Sequence, residues 1–126
     1  MMKERRYFLL ACQLFVLGFL VVWNNVLGIG QGFYWSVWWW DIVSHILGGL
    51  WVALCAAWIA AYFQKRISIL ACVVAALSVG VAWEIFEYLT GSGASIFMSY
   101  TADTIKDLID DTIGGALAGY FVSRRP

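Results

Sequence analysis

The sequence predicts an all-α, polytopic membrane protein: a single domain of four membrane-crossing helices, open to division into two repeated hairpins. Three observations predict it. Of 126 residues, 63% are hydrophobic and 13% charged, with a mean hydropathy of +0.80; a soluble domain carries about 25% charged residues. Four apolar runs each hold ~20 residues, enough to cross ~30 Å of hydrocarbon at ~1.5 Å per residue. The basic residues fall almost entirely on one side of the resulting topology.

The first run extends from Tyr7 to about Gly28. Its apolar stretch is longer than the ~7–15 residues of a signal peptide and no small-x-small cleavage site follows, so it reads as a retained span. Trp35, Trp38, Trp39 and Trp40 come next and read as an interfacial anchor, the depth that amphipathic rings favour. The second run is 42–63 and the third 67–89, joined by a turn short enough to make them antiparallel neighbours. Residues 90–101, containing Gly91-Ser92-Gly93-Ala94-Ser95, form the one loop suited to a lid. The fourth run, about 105–122, contains Asp107, Asp110 and Asp111.

Lys3, Arg5, Arg6, Lys65, Arg66, Arg124 and Arg125 lie on one side, with only Lys106 on the other. The positive-inside rule then puts both termini in the cytoplasm and the chain in the inner membrane. Eight basic and eight acidic residues cancel, leaving no basic footprint for nucleic acid. Membrane lipids are the expected partners, and a homo-oligomer stays open. The three cysteines, Cys12, Cys55 and Cys72, form no C-x-x-C and fall in the middle or inner part of their spans.

Every acid except Glu4, the single histidine and both asparagines collect in the outer half. Counted from the cytoplasmic ends, Asn24, His45, Glu84 and Asp107 all land roughly 23–27 Å up. Asp41, His45 and Gly48 share one face of the second helix; Asp103, Asp107, Asp110 and Gly114 share one face of the fourth. Acids at membrane depth must face an interior, a cavity or a counter-ion, and neighbouring carboxylates need protons or a cation. His45, Glu84, Asp107, Asp111 and Asp41 are therefore candidate ligands of a divalent metal, with Mn²⁺, Mg²⁺, Fe²⁺ or Zn²⁺ suited to one imidazole among carboxylates. Glu87 and Asp110 are candidate general bases. Plainer roles exist: Asp41 and Asp103 as helix N-caps, His45 as a core histidine, the glycines as packing.

Asp41-x-x-x-His45-x-x-Gly48-Gly49 and Asp107-x-x-x-Asp111-x-x-Gly114-Gly115 have identical spacing, and Val22-Trp23-Asn24 matches Ala82-Trp83-Glu84. Residues 7–63 and 67–123 thus read as two copies of one hairpin about an axis along the membrane normal. Gly115-x-x-x-Gly119 has the small-x-x-x-small spacing of close helix contact.

These motifs, with Trp83-Glu84-x-x-Glu87 and Asp103-x-x-x-Asp107, resemble the small bacterial membrane proteins of the VanZ-like and YjdF-like type over the last three helices. The resemblance implies a cell-envelope setting, and for VanZ-like proteins a link to glycopeptide resistance, but no reaction and no site residues. The residues support a metal-dependent hydrolase or transferase acting on lipid headgroups or envelope precursors. A cation or proton carrier and a non-catalytic envelope or lipid-binding module are the alternatives.

Overall fold

The computed structural model describes residues 2–93 and 95–124, and every regular element among them is a helix. Helix α1, Met2–Val21, continues into a π-wound segment, Val22–Ile29. A short α2, Phe33–Ser36, precedes the three remaining long helices: α3, Trp40–Tyr62; α4, Ile69–Thr90; and α5, Tyr100–Ser123. Among the described residues, three helices have the length and apolarity to cross a membrane, namely Lys3–Ile29, Trp40–Tyr62 and Ile69–Thr90. At 24 residues α5 is as long, but Asp103, Lys106, Asp107, Asp110 and Asp111 set it apart.

Several boundaries differ from the sequence reading, each for a local reason. Asn25 Nδ2 donates to the Val21 carbonyl at 3.1 Å, the oxygen its own backbone N–H would take in an α-helix. Competition of this kind favours the wider π winding. Helix α5 starts at Tyr100, ahead of the expected residue 105, because the Ser99 hydroxyl accepts from the Ala102 N–H at 3.4 Å and caps it. Asp103 is therefore in the first turn and is not the cap. Asp41 likewise sits inside α3, whose cap, Trp39, makes no side-chain capping bond. The interhelical loop is consequently Gly91–Ser99, with Ala94 of the expected lid outside the described residues, as is Arg125 of the basic set.

Helix α5 packs between α3 and α4, α4 also touches α3, and α1 packs on α3. The α4–α5 contact is a four-residue ladder of small groups. A Cβ on Gly119 would lie 3.2 Å from Cys72, one on Gly115 would lie 2.7 Å from Ala76, and one on Gly80 would strike the Asp111 carboxylate. Between α3 and α5, a Cβ on Gly49 would overlap the Asp111 backbone, and one on Gly114 the Ile46 carbonyl. Close backbone approach of this kind is how membrane helices associate without a hydrophobic driving force. Gly115 and Gly119 thus face α4; the α3–α5 spacing is set by Gly49 and Gly114, while Gly48 meets nothing within 4 Å.

Leu9, Ala53, Leu54, Ala57, Ala61, Cys72, Ala118 and Val122 form the buried apolar cluster. Large apolar side chains remain exposed on the outside of the helices, Phe15 at 77% and Leu70 at 71% among them. A soluble monomer rarely leaves such contiguous apolar surface; lipid accommodates it.

Candidate functional site

The ligand candidates gather toward the ends where α3 starts, α4 finishes and α5 starts, with Asp111 as deep as the middle of α5. Asp41 and His45 are one turn apart on α3, and Asp107 and Asp111 one turn apart on α5. The close α3–α5 crossing lays one pair against the other. His45 Nδ1 lies 3.3 Å from Asp111 Oδ1. Its Nε2 lies 3.7 Å from Asp41 Oδ1 and 3.6 Å from Asp107 Oδ2. The ring therefore bridges carboxylates on both edges.

The other oxygens of the same two aspartates hold a second cation. Lys106 Nζ donates to Asp41 Oδ2 at 2.7 Å and to Asp107 Oδ1, and lies 3.5 Å from Asp103 Oδ1. Lys106 is the one basic residue that the sequence sets apart from the others, on the expected outer side. The structure folds its ammonium into the carboxylate group, where it is the nearest counter-charge. The four-carbon stem makes this reach possible and residue spacing does not reveal it.

Asp107 and Asp111 are buried, their side chains 3% and 7% exposed, whereas that of Asp41 is 32% exposed and opens the group to one side. Among the described residues, one set of three has ligand atoms all within 4.8 Å of one another: Asp41, His45 and Asp107. Asp111 stands on the opposite edge of the imidazole, its Oδ2 lodged against Gly80 without a hydrogen-bond partner.

Glu84 lies outside that set. Its Oε2 accepts from Thr104 Oγ1 at 2.8 Å, and its Oε1 is buried and unpartnered. Asp110 is buried with Oδ2 unpartnered, and Glu87 is half-buried one turn along from Glu84. Three buried carboxylate oxygens without donors are unusual, because an unmatched polar atom costs about 1–3 kcal/mol. The donors packed against these acids leave part of their oxygens unmatched.

Asn24 faces a different group. Tyr34 donates its hydroxyl to Asn24 Oδ1 at 2.7 Å and lies 3.1 Å from Ser44 Oγ, which also accepts from Trp23 Nε1 at 3.1 Å. Trp23 stacks on Trp40, with centroids 3.7 Å apart and planes 4° from parallel. Trp40 is thus buried, a correction to its reading as an interfacial anchor, while Trp35, Trp38 and Trp39 are exposed. Burial moves the Tyr34 phenol above its usual 10.0, the Ser44 bond opposing the shift and Asp41, Glu87 and Asp107 adding to it. Cys72 and Cys55 are remote from the acids, Cys55 Sγ donating to Gln13 Oε1 at 2.7 Å.

Among curated proteins and among solved structures, none matches this chain. A family model does, over residues 1–126, and its description agrees with the apolar surface and the three long apolar helices. The match supports a small membrane-protein family without singling out the VanZ-like or YjdF-like type. The chain belongs to the family described as Predicted membrane protein (DUF2238).

Proposed function

We propose that this is a four-span, single-domain protein of the inner membrane, both termini cytoplasmic, that binds a divalent cation in its outer-leaflet acidic pocket. Asp41, His45 through Nε2, and Asp107 are the ligands. Asp111 holds the Nδ1–H, fixing the tautomer that leaves the Nε2 lone pair toward the other two. A carboxylate behind a histidine ligand is the usual outer-shell arrangement of metal sites.

The observation that carries this reading is the two-edged environment of His45, with Asp111 Oδ1 on one nitrogen and Asp41 and Asp107 oxygens around the other. The donor set suits Mn²⁺, Mg²⁺, Fe²⁺ or Zn²⁺. Lys106 competes for the same two aspartates and must yield part of its hold when metal binds. The chemistry supplied by a bound divalent cation is activation of water or polarisation of a phosphoryl or acyl oxygen. On the hydrolase or transferase reading, Asp41, the most exposed of the four, faces an incoming lipid headgroup or envelope precursor. Glu87 and Asp110 are then the carboxylates available for proton transfer, and the resemblance to VanZ-like and YjdF-like proteins points to the same compartment.

One observation favours a second reading. Lys106 already joins Asp41 of α3 to Asp107 of α5, so the ion-pair group by itself can pin the helices together without metal. Elemental analysis and chelator-dependent melting of detergent-purified protein separate the two. A stoichiometric metal lost in His45→Ala and in Asp107→Ala supports the metal site. Equal background metal in all three proteins, with melting indifferent to chelator, leaves the ion-pair staple. Metal-dependent turnover of a lipid phosphate distinguishes an enzyme from a binding module, and ion flux into proteoliposomes without substrate marks a carrier.

A further inference from the structure

The opposite ends of the helices form a separate, basic cleft. Lys3, Arg6, Ala61, Tyr62 and Gln64 enclose about 320 Å³ between the start of α1 and the end of α3. Lys3 and Arg6 are three residues apart and so share a face of α1. The Arg6 guanidinium lies 5.1 Å from the Tyr7 ring centroid and 5.3 Å from that of Tyr62. Both rings lie within cation–π distance of it, and the weak bond to the Tyr7 hydroxyl at 3.5 Å occupies one of its N–H groups.

Neither Lys3 nor Arg6 is ion-paired among the described residues. Among the described residues, no carboxylate lines the cleft. Gln64 completes it from a left-handed backbone conformation, φ 57°, that glycine would adopt at less cost. The residue at this turn is instead one with an amide to offer. Tyr7, Tyr62 and Phe63 stand exposed around the rim, at 55%, 56% and 66%.

We infer that this cleft is a binding site for an anionic phospholipid. Its headgroup phosphate sits between the Lys3 ammonium and the Arg6 guanidinium, and its acyl chains run along the exposed rim aromatics. The guanidinium fork fits phosphate oxygens in pairs, and the ammonium adds a point charge. Basic pockets between membrane helices are a recurrent headgroup site. The apolar rim selects a lipid over a free phosphate. The bound lipid bridges α1 to α3 at their basic ends, far from the acidic pocket, so this inference stands or falls independently of the metal site.

Native mass spectrometry of the full chain in mixed phosphatidylglycerol and phosphatidylcholine micelles tests it. The wild type should retain one phosphatidylglycerol in preference to phosphatidylcholine, and Lys3→Ala/Arg6→Ala should weaken that retention about thirtyfold. Arg6→Lys keeps the charge but loses the fork, giving an intermediate loss, and stays readable if the double variant unfolds. Arg124→Ala, which removes a guanidinium 4.9 Å from the Tyr120 ring at the end of α5, should leave retention unchanged. Equal retention of the two lipids overturns the inference. So does an Arg124→Ala loss as large as that of the double variant, which marks diffuse charge attraction. Displacement of the lipid by millimolar inorganic phosphate also overturns it, marking a site for soluble phosphate.

Discussion

In the first hairpin, Trp23 stacks on Trp40 and donates to Ser44, while Asn24 accepts from Tyr34. At the matching positions of the second, Trp83 is half exposed toward the outside and Glu84 is buried with one oxygen unpartnered. The inner helices differ in the same way. Gly48 faces open space, whereas its counterpart Gly114 is pressed on the α3 backbone. Identical spacing thus serves two kinds of contact: neutral rings, amides and hydroxyls secure the first hairpin, and small residues with buried carboxylates secure the second. The charged members of both patterns, Asp41, His45, Asp107 and Asp111, meet where α3 and α5 cross.

The glycines give the sharpest break. Gly114→Ala should destabilise by about 3 kcal/mol or more, since its methyl must displace backbone of α3. Gly48→Ala should be neutral or stabilising by up to about 1 kcal/mol, as alanine favours helix and nothing obstructs it. Thermal melts in detergent read both; equal losses would show that the two positions are packed alike after all.

Lys106→Met comes next. Removing the ammonium strands Asp41, Asp103 and Asp107 beside one another and should cost about 3 kcal/mol in metal-free buffer. The partial exposure of Asp41 reduces that figure. Added Mn²⁺ or Zn²⁺ should restore stability to the variant more than to the wild type, as the competitor for both aspartates is gone. A variant as stable as wild type without metal would show the ammonium to be a bystander.

Trp23→Phe should cost about 1 kcal/mol through the lost bond to Ser44, whereas Trp83→Phe on the exposed face should change melting little. The smallest expected effect is alkaline. Because the folded Tyr34 phenol titrates above 10.0, its contribution is complete below that pH and is lost as pH rises through the raised value. Melting of Tyr34→Phe should therefore converge on that of wild type in strong alkali; a constant gap would mean that the phenol does not titrate there.

Much of this arrangement is legible from spacing. Apolar run length gives the long helices, and depth counting with helical angles brings His45 beside Asp41, Asp107 and Asp111. What escapes is whatever depends on side-chain reach or on competing local bonds. Nothing in the order of residues says that Lys106 bends back onto Asp41, or that Asp111 lies behind the imidazole while Asp107 lies in front. The burial of Trp40 among four tryptophans, and the early start of α5 under the Ser99 cap, required the neighbours to be in place.

The charges of α5 bear on how the chain enters its bilayer. An aspartate or lysine at the centre of a membrane-spanning helix costs about 2.5–3.5 kcal/mol, so α5, with Asp103, Lys106, Asp107, Asp110 and Asp111, is the long helix least suited to meeting lipid on its own. Only with α3 and α4 in place do the imidazole of His45, the Glu84 carboxylate that accepts from Thr104 and the glycine notch at Gly80 become available to it. Packing on α3 and α4 is therefore the condition on which α5 takes its place in the fold.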